Sequence, residues 1–381
     1  MTTGQTRTIF ISAAEASADK HAAALVRQLR RELPDIDCDG LGGQAMRQEG
    51  CNLLENLVDR SAMLTHAISQ VGFYYKLLGR VKQYFQQQRP SLVVVIDSPA
   101  WNFHVAKAAK ELGIPVLYYI VPQLWAWGAW RAGKLRQRTD RLACILPFEQ
   151  QWFSERDIQV DYVGHPLFDG DNLVKASDFR SNENNHRDFP TIALLPGSRG
   201  HEIERLWPVM LEVGRRIREE FPKARFVTTA VSEKYEKVLR EQASEKLNVE
   251  IRRTSIEAIT RHADLTLVAS GTATLEVAAQ HCPMVVMYHV NLAQWHLVGR
   301  WMIKSKYISL VNILADKELV PEFIPLGFRK KQVTRKVLEL LNDTDKLQQM
   351  RNDLRELVEP IVQPGAAEKV VGIIKQMLPK Y

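Results

Sequence analysis

Short apolar runs alternate with helical patterns along the chain. In the first half the strand-like runs are 8–13, 36–43, 91–97, 115–121, 142–147 and 161–164, and helical stretches such as 19–33 and 105–113 lie between them. The runs are apolar on both faces, which is typical of a parallel sheet covered by helices on both sides. This pattern predicts a doubly wound α/β domain.

The alternation stops at residues 169–190, which are polar, contain few large apolar side chains and are typical of a linker. It then starts again, with strand-like runs at 191–197, 224–230, 248–253, 263–270 and 283–288. We therefore predict the fold class α/β, with two Rossmann-like doubly wound domains, 1–168 and 191–365, that face a cleft. The pattern leaves open whether the last helix, 366–381, joins the first domain.

The charge balance indicates an anionic partner. The chain has 381 residues, with 51 Lys or Arg against 44 Asp or Glu and a net charge of +7. Nucleic acid, anionic lipid and a phosphorylated substrate would each fit this charge. Because the sequence has no Lys/Arg-rich run and no zinc-finger spacing, we expect no nucleic acid partner.

The cysteines and the hydropathy pattern bear on location. Four scattered cysteines without a Cys-x-x-Cys pair favour a reduced, cytoplasmic interior. The N-terminus lacks the apolar run of a signal peptide, and no stretch approaches the roughly 18 apolar residues of a membrane span. We therefore expect a protein that is soluble or lies on a membrane surface.

The strand at 191–197 ends in a Gly-Ser-Arg-Gly turn that leads directly into a helix. Gly197, Ser198 and Arg199 form its first part. Backbone amides at a helix N-terminus attract anions, and a guanidinium adds a planar fork of donors suited to phosphate oxygens. A plain turn with a solvated arginine is the alternative.

The strand at 263–270 ends in Ser270, Gly271 and Thr272, small residues that let a ligand approach the backbone. Glu276 lies one turn into the next helix, where its carboxylate would accept hydrogen bonds from ribose hydroxyls. Together the two turns favour a nucleotide-diphosphate site. Neither matches a Walker loop or the Gly-x-Gly-x-x-Gly of NAD binding, which disfavours a dehydrogenase.

Two stretches of the first half suit catalysis and sugar binding. Asp97 follows a buried strand, where it would act as a general base or cap the next turn. The segment 121–137 holds three tryptophans and several basic residues, suited to sugar rings or to core packing. Three Asp-x-Asp triplets, at 37–39, 169–171 and 343–345, are interpreted as surface acids, and we predict no metal and no cofactor.

Two segments, 63–85 and 295–307, interleave wide apolar faces with basic residues. Helices of this kind lie in the headgroup region of a membrane. A buried helix or a subunit contact is the alternative for both.

Several motifs, in this order, resemble the lipid-A-disaccharide synthase family of inverting GT-B glycosyltransferases. They are IDSPAWNF, PQLWAWGAWR, LPFE, VGHPL, LLPGSRGHEI, ASGTATLE, CPMVVMY and YISLVNILADKELVPEFI. The resemblance implies a UDP-2,3-diacylglucosamine donor and a 2,3-diacylglucosamine 1-phosphate acceptor. The products would be UDP and a β-1,6-linked disaccharide phosphate on the route to lipid A.

The resemblance also implies roles for single residues. Asp97 would be the base, with Glu15 as a second catalytic residue. Arg199 would stabilise the leaving diphosphate, Glu276 would hold the ribose, and Asn312 would lie at the nucleotide site. We further expect a cytoplasmic protein bound peripherally to the anionic inner face of the cytoplasmic membrane, and a homodimer as one oligomeric state.

One departure concerns the run after the first strand, where the family has Gly-Glu-x-Ser-Gly-Asp. Ala14 and Ala18 stand at the two glycine positions here, while Glu15, Ser17 and Asp19 match. Since alanine disfavours positive φ, the acceptor side could be reshaped. Another GT-B enzyme with a different acceptor, a UDP-sugar epimerase, and a non-catalytic nucleotide- or lipid-binding relative are the alternatives.

Overall fold

The chain folds into two compact units. The computed structural model describes residues 7–58, 67–126, 128–169, 189–243, 247–288, 306–323 and 330–378. The first unit consists of Met1–Leu173 and Gln363–Tyr381, and the second of Val174–Val362. Each unit has its own parallel sheet.

The first unit carries a sheet of seven strands among the described residues. The strands are β1 (Arg7–Ala13), β2 (Ile36–Gly42), β3 (Asn52–Asn56), β4 (Leu92–Ile96), β5 (Val116–Tyr119), β6 (Arg141–Cys144) and β7 (Asp161–Tyr162). Their order across the sheet is β3-β2-β1-β4-β5-β6-β7. The helices are Ala16–Glu32, Gln44–Gln48, Ala67–Gln88, Pro99–Glu111, Ala132–Arg138, Pro147–Ser154 and Ala366–Met377, with 3-10 turns at Ala129–Arg131 and Pro166–Phe168.

Strand β4 is apolar along its whole length because both faces of the sheet are buried there. Along β4, Val93 and Val95 belong to one apolar cluster. Leu92, Val94 and Ile96 belong to another. Successive side chains of a strand point to opposite faces, so an uninterrupted apolar run supplies both cores at once.

The second unit carries a sheet of six parallel strands within the described ranges. They are β8 (Thr191–Leu195), β9 (Arg225–Thr229), β10 (Val249–Arg252), β11 (Leu265–Ala269), β12 (Met284–Met287) and β13 (Glu322–Phe323), in the order β10-β9-β8-β11-β12-β13. The helices are Gly200–Glu220, Glu233–Gln242, Ile256–Thr260, Ala273–Ala279, Leu310–Ala315, Lys330–Leu341 and Thr344–Val358.

The strand order reverses once in each sheet. In the first unit β1 lies beside β4, with Ala13 opposite Ile96. In the second unit β8 lies beside β11, with Leu195 opposite Val268. The chain leaves the two strands of such a pair in opposite directions, which opens a crevice at their carboxyl ends.

Asp19 holds a helix other than its own. Its carboxylate accepts the amides of Gly43 at 2.7 Å, Ala45 at 3.0 Å and Met46 at 3.2 Å. Gly43 is the N-cap residue of the helix Gln44–Gln48, so Asp19 satisfies the first amides of that helix. From its position at the start of the helix Ala16–Glu32, a capping role for Asp19 in that helix would be expected, but its bonded partners lie 24–27 residues further along the chain.

The last helix, Ala366–Met377, completes the first unit. Its side chains Val370, Val371 and Ile374 are fully buried in the apolar cluster that contains β1. Lys375 donates to Glu32 at 2.7 Å. The apolar face of the helix therefore fills one of the two cores of the first unit.

Asp169, near the end of the segment Met1–Leu173, caps the N-terminus of this last helix. Its carboxylate accepts the amides of Gly365 at 2.9 Å, Ala366 at 2.8 Å and Ala367 at 2.7 Å. Three amides at a helix N-terminus favour a negative charge. Asp169 is therefore a helix cap and not the surface acid that its polar surroundings indicate.

The helix Ala67–Gln88 contains most of one of the two segments predicted to suit a membrane surface. It covers most of segment 63–85, packs one face into the core and exposes Val71 by 71% and Tyr75 by 80%. In the described part of the chain, no helix is both long and apolar enough to cross a bilayer. Segment 295–307 lies outside the described residues except for its last two.

His165 is buried and neutral in the folded chain. Its Nδ1 accepts the amide of Leu167 at 3.2 Å, which places the proton on Nε2. Burial, and after it the nearby His21, lowers the pKa of His165 to about 3. The folded chain therefore takes up a proton at this side chain only in strong acid.

Asp169→Ala is expected to lower the thermal-unfolding midpoint by several degrees, because loss of a cap costs about 1–2 kcal/mol. Asp343→Ala is the control, since Asp343 is an exposed cap that accepts the amide of Lys346 at 3.0 Å. We expect a smaller shift for the control in scanning calorimetry. Equal shifts would show that the three-amide cap contributes no more than an ordinary one.

The first unit is expected to lose stability as the pH falls below about 6.5. Unfolded His165 binds a proton below the ordinary pKa of 6.5, whereas the folded form binds it only near 3. Each pH unit in this window then costs about 1.4 kcal/mol for this group. Urea unfolding at pH 7 and pH 5.5 measures the decline.

His165→Asn removes the titrating group and is expected to make this decline shallower. His104→Asn is the control, because His104 is exposed in the same unit. An unchanged decline in the His165 variant would refute the assignment.

Candidate active site

The predicted functional segments follow the strands at which the order reverses. In the first unit, Glu15 follows β1 and Asp97 follows β4. In the second unit, the turn 197–199 follows β8 and the turn 270–272 follows β11. Open α/β sheets bind ligands at such positions. Each unit therefore presents its candidate groups at its own crevice.

Asp97 lies in the bend between β4 and the helix Pro99–Glu111. Its φ is 49° and that of Ser98 is 45°, so two successive non-glycine residues are left-handed. Each such residue costs roughly 1–2 kcal/mol, and strain of this kind clusters at functional sites. The Asp97 side chain is partly exposed, so a ligand can reach it.

Glu15 is exposed at the start of the helix Ala16–Glu32, and its side chain does not cap that helix. Burial, and after it the charge of Glu15, raises the pKa of Tyr74. Ala14 and Ala18 are buried, and neither of these described residues has a positive φ. The alanines at the family's glycine positions are therefore unstrained.

The turn 197–199 is held by a carboxylate that follows it. Glu202 accepts the amides of Ser198 at 3.0 Å and Arg199 at 3.2 Å, and Nη1 of Arg199 donates to it at 3.3 Å. Gly197 has a φ of 110°, and a Cβ there would collide with Glu202. The amides predicted to bind phosphate are thus occupied by Glu202, while the Arg199 side chain is 64% exposed.

The sequence reasoning missed Glu202. Arg199 is the N-cap residue of the helix Gly200–Glu220, and Glu202 stands three residues later. An acid at that spacing commonly bonds back to the amides of the turn. The local signal was therefore present in the sequence.

The turn 270–272 leaves room beside its backbone. Gly271 has a φ of 152°, and a Cβ built there would have nothing within 4 Å. Ser270 Oγ donates to the carbonyl of Ile308 at 3.4 Å. Glu276 lies in the first turn of the following helix and is partly exposed. A ligand can therefore approach this turn closely.

Asn312 is fully buried, and its amide is bonded inside the second unit. Its Oδ1 accepts the amides of Leu319 at 2.8 Å and Val320 at 2.9 Å. Its Nδ2 donates to the carbonyl of Val320 and to Glu322, both at 2.8 Å. Asn312 thus holds the segment that leads into β13. Because its amide is bonded to this segment, Asn312 would act on a nucleotide by positioning the segment and not by direct contact.

Glu322 was also missed, and it connects Asn312 with the turn 270–272. Its carboxylate accepts the amides of Ile308 at 3.0 Å and Ser309 at 2.8 Å, and the Ser309 hydroxyl at 2.6 Å. The carbonyl of Ile308 in turn accepts from Ser270. No local pattern predicts this role, because the partners lie on separate elements.

The tryptophan segment of the first unit has two different environments. Trp125 donates to the buried carboxyl of Glu149 at 3.0 Å, and burial raises the pKa of Glu149 to about 7. Trp130 is 71% exposed, with Lys134 Nζ at 5.4 Å from its ring centroid. Trp127 lies outside the described residues. Of the two described rings, Trp130 is the one that a ligand can reach.

The Asp-x-Asp triplets contribute to local structure. Asp39 accepts from Asn52 at 3.2 Å and from the hydroxyl of Tyr84. Asp169 and Asp343 cap helices. Among the residues that the structure describes, no group of three or more His, Cys, Asp or Glu side chains is placed to hold a metal ion.

Comparison with known proteins identifies the family. The family model of Lipid-A-disaccharide synthetase matches residues 9–376. The chain is 34% identical to the lipid-A-disaccharide synthase of Syntrophus aciditrophicus strain SB over 379 residues, which cover 98% of each protein.

Solved structures show the same fold at low identity. One is a UDP-GlcNAc 2-epimerase from Neisseria meningitidis bound to UDP-GlcNAc, with a TM-score of 0.64, 12% identity and coverage of 97% of this chain and 100% of the other. Another is CalG4, the calicheamicin glycosyltransferase, with a TM-score of 0.59, 14% identity and coverage of 98% and 100%.

These matches and the two parallel sheets confirm the predicted α/β fold of two Rossmann-like domains of the GT-B type. The match to the family model extends over nearly the whole chain, and a relative that is 34% identical matches at full length. The chain belongs to the lipid-A-disaccharide synthetase family, as its sequence motifs predict.

Proposed function

We propose that this chain transfers the sugar of UDP-2,3-diacylglucosamine to 2,3-diacylglucosamine 1-phosphate and releases UDP. Membership of the family makes the chain a glycosyltransferase of lipid A biosynthesis. The observation that carries the proposal is the placement of Asp97 on a strained bend at the carboxyl end of β4, in a chain that matches the family over residues 9–376. A polar group at that edge of a doubly wound sheet is suited to act on a ligand.

The second unit supplies the donor site in this proposal. Gly197, Ser198 and Arg199 would meet the diphosphate, and the turn 270–272 with Glu276 would meet the nucleoside. Supporting this, both turns lie at the carboxyl ends of β8 and β11. The solved epimerase that shares the fold was determined bound to UDP-GlcNAc.

In the absence of donor, Glu202 occupies the amides that the phosphates would bind. Its carboxylate binds the amides of Ser198 and Arg199 and pairs with the guanidinium. A diphosphate at these amides is repelled by the carboxylate, so donor binding exchanges one anion for another. The exposed Arg199 side chain then follows the incoming charge.

The first unit supplies the base. Asp97 takes the proton from the acceptor hydroxyl as its oxygen attacks the anomeric carbon of the donor. The bond between that carbon and the diphosphate oxygen breaks, and its electron pair leaves with UDP. Arg199 and the helix amides of the second unit stabilise the charge that develops on the diphosphate. Attack opposite the leaving group inverts the anomeric centre.

Contact with an anionic membrane surface is part of the proposal, because both sugars carry acyl chains. Val71, Tyr75 and Trp130 are exposed on the first unit, and basic residues accompany them in sequence. Apolar groups flanked by cations favour the interfacial region of a membrane. We place this surface at the inner face of the cytoplasmic membrane, and a homodimer stays a prediction.

Asp97→Asn is expected to lower kcat for UDP release at least about a hundredfold, because the amide cannot accept the acceptor proton. The assay supplies both acylated substrates in the presence of EDTA. Asp161→Asn is the control, since Asp161 forms a half-exposed ion pair with Arg141 in the same unit. Normal turnover by the Asp97 variant would remove it as the base, and UDP binding without turnover by the unaltered chain would favour a non-catalytic relative.

Arg199→Ala is expected to weaken UDP binding about ten- to a hundredfold, because a charge-assisted contact to the diphosphate is lost. Isothermal titration calorimetry with UDP measures the change. Arg216→Ala serves as the control, because Arg216 lies on the same helix and pairs with Glu219. Equal affinities of the two variants would contradict the assignment of Arg199.

A further inference from the structure

The carbonyl of Asp97 accepts two hydrogen bonds from buried side chains. The hydroxyl of Tyr118, on β5, donates to it at 2.8 Å. Nδ2 of Asn102, in the first turns of the following helix, donates to it at 2.8 Å. Both side chains are fully buried. Two donors thus occupy the two lone pairs of one carbonyl oxygen.

This carbonyl lies at the strained point of the bend. Asp97 and Ser98 are both left-handed, a conformation that L-residues adopt only when the surroundings hold it. The amide of Asp97 still donates to the carbonyl of Tyr119 at 3.1 Å, as the sheet continues. The carbonyl side of the residue, where the chain leaves the sheet, is held by Tyr118 and Asn102 instead.

Asn102 is itself fixed by the two strands that border the crevice. Its Nδ2 also donates to the carbonyl of Ile96 at 2.8 Å, at the end of β4. Its Oδ1 accepts the hydroxyl of Ser12, on β1, at 2.8 Å. Ser12 accepts from Trp101 Nε1 at 3.2 Å. The position of Asn102 is therefore determined by groups that do not move independently of the sheet.

We propose that Tyr118 and Asn102 are positioning residues that hold the Asp97 bend, and thereby aim the Asp97 carboxylate at the acceptor hydroxyl. The inference rests on the proposed function of Asp97 as the base. A rigid backbone on both sides of a catalytic side chain keeps it in the reactive geometry without reorganisation during the reaction.

The hydroxyl of Tyr118 is a permanent donor. Burial, and after it the nearby charge of Asp97, raises the pKa of Tyr118 well above its ordinary value. Arg131 acts on the same phenol in the opposite direction. The phenol therefore keeps its proton throughout the pH range in which the carboxylate of Asp97 works as a base.

The next residue offers a matched comparison. Tyr119 is equally buried, lies on the same strand and faces the opposite apolar cluster. Its hydroxyl has no hydrogen-bond partner among the described residues. Each substitution to phenylalanine removes one buried hydroxyl and leaves the backbone in place, but only the hydroxyl of Tyr118 is bonded to Asp97.

Tyr118→Phe is expected to lower kcat about tenfold, the effect of losing one hydrogen bond that orders the base, while KM for both acylated substrates changes by less than about twofold. Tyr119→Phe is expected to keep the kcat of the unaltered chain. Steady-state UDP release gives both constants, and thermal unfolding confirms that each variant is folded.

The inference is overturned if Tyr118→Phe retains full kcat, if its KM rises as its kcat falls, or if Tyr119→Phe is equally impaired. Asp97→Asn, measured in parallel, separates this failure from failure of the proposed function. Full activity of the Asp97 variant would contradict the base itself. Loss of activity there, with full activity in Tyr118→Phe, would contradict only the positioning role.

Discussion

Reversal of the strand order, between β1 and β4 in one sheet and between β8 and β11 in the other, is the constraint on which the site depends. At such a point the connecting helices turn to opposite faces of the sheet, so the ends of two adjacent strands stay uncovered. Elsewhere both faces of a parallel sheet are closed by helices. The apolar pattern that builds each sheet therefore also determines where polar chemistry is left accessible.

The uncovered strand ends need partners for their backbone groups, and these come from side chains. Asn102 and Tyr118 bind the carbonyl of Asp97. Glu202 binds the amides of the turn 197–199, and Glu322 binds the amides beside the turn 270–272. Backbone groups without a partner are strongly unfavourable where water cannot reach them, as beside the buried side chains Asn102 and Tyr118. These side chains thus allow sharp, ligand-accessible turns to persist within a tightly packed fold.

The sequence predicted those features that depend on neighbouring residues in the chain, namely the strands and the turns that follow them. Apolar runs located the strands, and the glycines marked the turns after β8 and β11, because a positive φ at Gly197 and Gly271 leaves a local signature. Pairings between distant segments were not accessible. Asp169 bonds to amides almost two hundred residues away, and Tyr118 reaches Asp97 across a strand boundary. Such partners depend on sheet order and register, which a single sequence does not state.

The helix Ala366–Met377 has a consequence for biosynthesis. It is the last element of the described chain, yet Val370, Val371 and Ile374 fill a core begun by β1. On the ribosome, all residues of the second unit emerge before this helix does. The first unit therefore begins to emerge before the second unit, but its core is completed after the second unit has emerged. Until then, the apolar cluster that contains β1 lacks the side chains of this helix.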